Sequence, residues 1–289
     1  MEASTRLINW GIFLALSLIW GSSFILMKVG LQTLSAYQVA ALRLLSAGLV
    51  LMPFAAKQFR KLPRKQMPLV VLSGLIGSFI PAFLFCMAET KIASSLTAIL
   101  NALTPIFTLT TGILFFKTPL QWRKLTGVFI GFAGLCVLFM NKGKIELTFL
   151  PYATLVILAT VCYGVNVNMV SRFLKNVGSL NIAAFAFSFL TIPSFLILYL
   201  TGYFNLPLSQ PPYLVSTGAS VILGVMGTAI ASIIFYTLVK KAGVLFTSMV
   251  TYAIPFVAIL WGLMYNEGIS LLEVVCLAII LAGVSLTSK

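Results

Sequence analysis

The chain contains no histidine and no aspartate, and its five acidic residues are all glutamate. Without histidine there is no imidazole for a proton relay, a Ser–His pair or an H-E-x-x-H zinc site. Without aspartate there is no paired-aspartate protease chemistry. No G-x-x-x-x-G-K-[ST] loop occurs, which disfavours a nucleotide-driven pump. No cofactor and no metal is expected. The four cysteines, Cys86, Cys136, Cys162 and Cys276, all fall in apolar stretches. They read as small hydrophobes, not as a disulfide framework. Charge is scarce as well: 8% of the 289 residues are charged and 60% are hydrophobic, whereas a soluble domain carries roughly 25% charged residues.

Apolar sequence of membrane length takes up almost the whole chain. A helix needs about 20 apolar residues to cross the hydrocarbon core. Ten such spans are predicted, at roughly 8–29, 37–56, 68–88, 93–115, 123–140, 150–171, 180–201, 213–239, 243–265 and 270–287. They leave no room for a soluble catalytic domain. The first apolar run, Leu7–Met27, is too long for a signal-peptide core and reads as the first membrane helix. The net charge of +14 would suggest nucleic acid in a soluble protein. Its distribution points elsewhere. With the N-terminus in the cytoplasm, fourteen of the nineteen Lys and Arg fall on the inside, clustered at Lys57–Lys65 and Lys117–Lys124. Four (Lys28, Lys91, Lys142, Lys144) fall outside, and Arg43 stays within a span. That is the positive-inside bias of a multi-pass protein with both termini cytoplasmic. The bilayer, not nucleic acid, is the expected partner.

The chain is also written twice. A shift of 150 positions lays Val71–Lys117 on Val221–Glu267, matching Gly74 to Gly224, Gly77 to Gly227, Phe85 to Phe235 and Pro105 to Pro255. A shift of 143 lays Trp20-Gly21 on Tyr163-Gly164 and Ala40-Ala41 on Ala183-Ala184. A unit of five helices, repeated, must cross the bilayer in opposite directions. The expected fold is therefore all-α and integral to the membrane, with ten transmembrane helices as two inverted-topology five-helix repeats. Residues 1–145 and 146–289 form the two repeats of one transport domain. Such a design points to a secondary transporter that holds its substrate near the midplane.

Two prolines, Pro105 and Pro255, fall mid-span at matching places. Each removes a backbone donor, and the pair are candidate hinges. The spacings Gly127-x-x-x-Gly131-x-x-Gly134 and Gly224-x-x-Gly227 let helices approach closely. Packing within the chain is their expected use, and a homodimer contact is an alternative.

The stretch Trp20-Gly21-Ser22-Ser23-Phe24, then Lys28, then Ala40-Ala41-Leu42-Arg43, resembles the opening of the drug/metabolite transporter superfamily, in its EamA-type members. Leu103-Thr104-Pro105 and Gly127-x6-Gly134 resemble the close of a first EamA repeat. Ala253-Ile254-Pro255, Asn266-Glu267 and Ala282-Gly283 resemble the close of a second. The resemblance implies ten helices, a bacterial inner-membrane location, export of small metabolites and a central cavity lined mainly by the first four helices of each repeat. In one place the chain departs from the family pattern. It carries Phe116-Lys117 where the family often has a small residue followed by Glu, while the second copy keeps Glu267.

Polar groups inside hydrocarbon are costly and mark candidate sites. Arg43 is the costliest, either structural or facing an anionic group such as a carboxylate. Lys28, at a span end, is expected to snorkel. The substrate-binding candidates are Trp20, Ser23, Arg43, Asn101, Thr104, Tyr163, Asn166, Tyr252 and Trp261. Thr251 and Tyr252 hold equivalent places before Pro255. On a helix, positions 163 and 166 share a face and 168 turns away, so Asn166 is preferred to Asn168. Glu89 is the carboxylate nearest the interior of a span, which argues against a cation-exporting site built on a buried acid. The leading expectation is a secondary transporter for a small-molecule substrate, an exporter of amino acids or related metabolites working by alternating access. Export of lipophilic drugs or nucleotide-like anions, or a channel, are the competing readings.

Overall fold

The computed structural model describes residues 2–58, 62–92, 94–119, 121–140, 150–264 and 271–287. Among these there is no strand. The helices are α1 (Glu2–Gly30), α2 (Ala36–Gln58), α3 (Met67–Gly74), α4 (Ile80–Glu89), α5 (Ser94–Asn101), α6 (Thr104–Phe116), α7 (Trp122–Met140) and α8 (Leu150–Phe173). They continue with α9 (Ser179–Leu200), α10 (Pro211–Gly224), α11 (Ala231–Ala242), α12 (Val244–Ser248), α13 (Val250–Met264) and α14 (Leu271–Thr287). Four pairs form single segments. A π-helical turn, Leu75–Phe79, joins α3 to α4, and a second, Val225–Ile230, joins α10 to α11. Short breaks at Ala102–Leu103 and Met249 separate α5 from α6 and α12 from α13. The helices therefore make ten apolar segments, as expected, and six of them are long and apolar enough to cross a membrane without a break.

The two prolines take different places. Pro105 sits in the first turn of α6, where its missing N–H would lack a partner anyway and its fixed φ suits a helix start. Pro255 lies inside α13, beyond the break at Met249. The helix is thus interrupted near each proline but not at equivalent residues.

Packing explains the order of the segments. α2 lies along α9 and α7 along α14, while α1 packs on α13 and α10 and α8 packs on α6 and α4. Large apolar side chains such as Leu14, Ile25, Ile192, Phe195 and Leu214 face outward, as the hydrocarbon solvent requires. Several buried hydroxyls are satisfied locally: Ser17, Ser46 and Thr191 each donate to the carbonyl four residues earlier, the usual back-bond of Ser and Thr in a helix. The α7 glycines are used within the chain. Gly127 and Gly134 face α14, and Gly131 faces the Tyr252 ring. The C-terminal end of α6 closes on Lys117 in the left-handed conformation (φ 53°), while Glu267 lies outside the described residues.

The contact of α8 with α6 is backbone-close. A Cβ at Gly164 would lie 2.8 Å from the Phe107 carbonyl carbon and 2.9 Å from its oxygen, all backbone atoms that cannot swing aside. Gly21, related to Gly164 by the shift of 143, meets Val257, which is related to Phe107 by the shift of 150. The two junctions are counterparts. Gly164→Ala should lower the unfolding temperature of the detergent-purified protein through an overpacking cost of about 1–3 kcal/mol. Gly218→Ala, in α10 with nothing within 4 Å of the added Cβ, should hold or raise it, because alanine is the better helix former. Equal unfolding temperatures for the two variants would contradict this account.

Candidate functional site: a polar cavity between the helix breaks

The segments enclose a cavity in which the centre of a water molecule has about 100 Å³ to move. Both π-turns and both helix breaks border it. A π-turn shifts the hydrogen-bond register and leaves backbone groups for other partners. Here the Gly227 carbonyl takes the indole N–H of Trp20, with Nε1 3.0 Å from the oxygen. The neighbouring Thr228 Oγ1 lies 2.5 Å from Arg43 Nε, which donates to it, and also 3.3 Å from the Leu223 carbonyl. Glycine allows both turns to approach their neighbours. Gly227 abuts Ser23 Oγ, and Gly77 in the first turn abuts the Asn166 amide.

The breaks are bridged by side chains. Thr104 Oγ1 donates to the Asn101 carbonyl at 2.6 Å across the gap between α5 and α6. Thr251 Oγ1 donates to the Ser248 carbonyl at 3.0 Å across the gap between α12 and α13. On a third wall Ser73, Asn166 and Tyr236 form a ring. Ser73 Oγ donates to Asn166 Oδ1 at 2.7 Å, and Asn166 Nδ2 donates to Tyr236 Oη at 3.4 Å. Ser73 has then used its single proton, so the Tyr236 hydroxyl donates back across the remaining 3.2 Å. Aromatic pairs complete the walls, Trp20 with Phe235 (centroids 5.2 Å apart) and Tyr163 with Phe85 (6.0 Å, stacked).

Seven of the nine sequence candidates line this cavity: Trp20, Ser23, Arg43, Asn101, Thr104, Tyr163 and Asn166. Tyr252 does not. It is fully buried against α7, and its hydroxyl donates to the Val128 carbonyl at 3.0 Å. The position that reaches the cavity is Thr251, and applying the 150-residue shift to Asn101 would have identified it. The side chain of Trp261 lies outside the described residues, and neither Pro105 nor Pro255 lines the cavity. Asn168 turns to α6, donating to the Thr108 carbonyl at 2.8 Å, so the helical-wheel preference for Asn166 matches the geometry. The sequence reading passed over Ser78, Thr228, Ser232, Tyr236 and Ser248. For Ser78 and Thr228 a signal existed, since each follows a glycine matched by the repeat.

Arg43 supplies the cavity's charge. Among the described residues its only hydrogen bond is the one from Nε, and it forms no ion pair. Glu89 stands one turn past Phe85 on α4. It does not line the cavity, and neither of its carboxylate oxygens is hydrogen-bonded to Arg43. Among the described residues no cluster of side chains could hold a metal ion. With a guanidinium, hydroxyls, amides and aromatic faces but no acid or nucleophile–base pair, the cavity is equipped to bind a solute, not to transform one.

An interrupted-helix bundle around such a cavity defines a membrane transport protein. The chain belongs to the EamA-like transporter family, whose model matches residues 9–140 and again 150–289. It is a multi-pass membrane transporter, not an enzyme. It is 27% identical over 286 residues to the uncharacterized inner membrane transporter YedA of Escherichia coli (strain K12), covering 96% of this chain and 90% of that protein. It is 24% identical to the probable terminal-alkyne amino-acid exporter of Streptantibioticus cattleyicolor, over 83% of this chain and 79% of the exporter. A solved crystal structure superposes with a TM-score of 0.72 at 18% identity, covering 98% of this chain and 96% of that one. That likeness establishes the shared fold.

Tyr252 and Tyr236 give opposite expectations. Tyr252→Phe should lower thermal stability by about 1 kcal/mol, the worth of one buried hydrogen bond, and leave solute binding unchanged. Tyr236→Phe breaks the ring with Ser73 and Asn166 in the cavity wall and should alter binding. Ligand-induced shifts in unfolding temperature read both effects. A binding defect in Tyr252→Phe with none in Tyr236→Phe would place the site elsewhere.

Proposed function

We propose that this chain is a secondary transporter of the bacterial inner membrane that exports amino acids or related metabolites by alternating access. In this reading residues 1–145 and 146–289 are antiparallel copies, both termini are cytoplasmic, and the solute sits near the midplane between the copies. The carrying observation is the pairing of the cavity walls. Trp20 and Tyr163, Ser23 and Asn166, and Phe24 and Val167 are related by the shift of 143. Gly77 and Gly227, Ser78 and Thr228, Phe85 and Phe235, Asn101 and Thr251, and Thr104 and Ile254 are related by the shift of 150. A cavity built in this way from both halves of the chain is what a duplicated carrier needs, because each half can open or close one access path. The double family match and the name of the Streptantibioticus relative further support the reading. The aromatic walls suit the apolar side chain of an amino acid, and the hydroxyls and amides suit its polar end.

Counterflow in proteoliposomes with a panel of amino acids tests the proposal. Saturable counterflow supports a carrier, whereas high unsaturated flux marks a pore. Cysteine labelling from each side reads the orientation of the halves. Arg43→Ala should reduce transport by about tenfold or more, the loss of a charge-assisted contact. Lys28→Ala, exposed at the end of α1, should retain most activity at equal expression. Trp20→Ala should change the ranking of aromatic against aliphatic amino acids. If Arg43→Ala matches the unmodified protein and the ranking is unmoved in Trp20→Ala, the cavity is not the transport site.

A further inference from the structure

Resting on the transporter reading, we infer that Arg43 and Thr228 form a carboxylate subsite, and that the cavity recognises its solute by that one negative charge, independently of any amino group. Three observations combine. First, a guanidinium lines an enclosed space within the bilayer and forms no ion pair among the described residues. Arg43 is half-buried, and Glu89 acts on it only through the field, with no ion pair and no hydrogen bond between them, so an anion in direct contact gains what the protein supplies incompletely. Second, the geometry leaves the right edge available. Nε is held by Thr228 Oγ1, which fixes the plane of the group, while the two terminal nitrogens make no hydrogen bond among the described residues. That pair of nitrogens is the fork that takes a carboxylate in two parallel bonds.

Third, among the described residues no carboxylate lines the cavity. A solute's ammonium would meet only hydroxyl and amide oxygens and aromatic faces, groups that equally serve a neutral hydrogen-bonding or apolar substituent. Arg43 also stands alone in the repeat: the shift of 143 places Ala186 opposite it, so the anion has one seat, not two. The aromatic pairs Trp20–Phe235 and Tyr163–Phe85 flank the space left for the remainder of the molecule. The class of solute is a monocarboxylate with an apolar or aromatic body, of which a neutral amino acid is one case.

The test uses the full chain purified in detergent, with unfolding temperature read against ligand concentration. The probes are L-phenylalanine, 3-phenylpropanoate and L-phenylalaninamide, with L-leucine, 4-methylpentanoate and L-leucinamide as a second series. At least one series should show the acid without an amino group binding within about threefold of its amino acid, and the amide about tenfold or more weaker. Arg43→Gln should erase the advantage of acid over amide, and Arg43→Lys should keep part of it. Thr228→Val, which retains the charge but frees the guanidinium, should weaken the acids and leave the amides unmoved. The inference fails if amides match acids, if the amino group proves indispensable, if no acid binds, or if Arg43→Gln binds acids as before. Counterflow separates this result from the wider reading. Transport that ignores Arg43→Gln would sink the subsite and leave the carrier standing. Acid-dependent stabilisation without counterflow would do the reverse.

Discussion

Hydrocarbon offers no hydrogen bonds, so every backbone amide and carbonyl within the bilayer must find its partner inside the protein. That constraint locates the site. A helix can be broken or widened into a π-turn in lipid only where the freed groups meet a side chain or a cavity. Among the described residues, four irregularities border the cavity. The second π-turn offers the Gly227 carbonyl to Trp20 and the Thr228 hydroxyl to Arg43, and the first lays Gly77 against the Asn166 amide. The two breaks are stitched by Thr104 and Thr251. The cavity and the irregular backbone are consequences of each other: the void gives the breaks somewhere to exist, and the breaks give the void its polar lining.

Glycine sets how near the walls can stand. At Gly77 and Gly227 the π-turns touch the neighbouring helix with nothing between. At Gly21 and Gly164 the first helix of each half meets the broken segment of the other. These contacts exchange under the two repeat shifts, so one half seals against its partner as the partner seals against it. At Gly164 the neighbour is backbone, which no rotamer can adjust, so rearrangement there must carry whole segments together. Gly21, Gly77 and Gly227 instead meet the side chains of Val257, Asn166 and Ser23.

Much of this was legible beforehand. Ten apolar segments, the repeat and the membrane setting follow from composition and self-similarity, which depend on solvent and arithmetic alone. Seven of the nine candidates reached the cavity by one rule, that polar or aromatic side chains deep in a span need a reason. The rule failed at Tyr252 because a buried tyrosine can satisfy itself on a backbone carbonyl, here Val128, and sequence does not reveal which way a hydroxyl turns next to a helix break. It missed Thr228, Ser232 and Ser248 because serine and threonine are common in membrane helices, where a back-bond hides their polarity. The π-turns themselves left no trace beyond a glycine in each. The two prolines do not mark the breaks alike. Pro105 begins a helix, but Pro255 lies within one while the chain breaks six residues earlier, where no proline stands.

The departures from symmetry carry the remaining information. The ring of Ser73, Asn166 and Tyr236 maps, under the two shifts, onto Leu223, Ser23 and Cys86. There no ring forms. Ser23 donates back to the Ile19 carbonyl, and the Cys86 thiol makes only a weak bond to the Met27 sulfur at 3.4 Å. One wall of the cavity is therefore held by directional bonds, which are lost together when the segments separate unless water or solute replaces them. Its counterpart is held by dispersion and close packing, which weaken gradually with distance. On the proposed reading these two walls belong to opposite access paths, and with unlike forces closing them no symmetry makes the two states equal in free energy. A solute moves such an equilibrium only through contacts that differ between the states. Asn166 and Tyr236 both face the cavity, so a solute that takes over their hydrogen bonds would release the wall that the protein alone keeps shut.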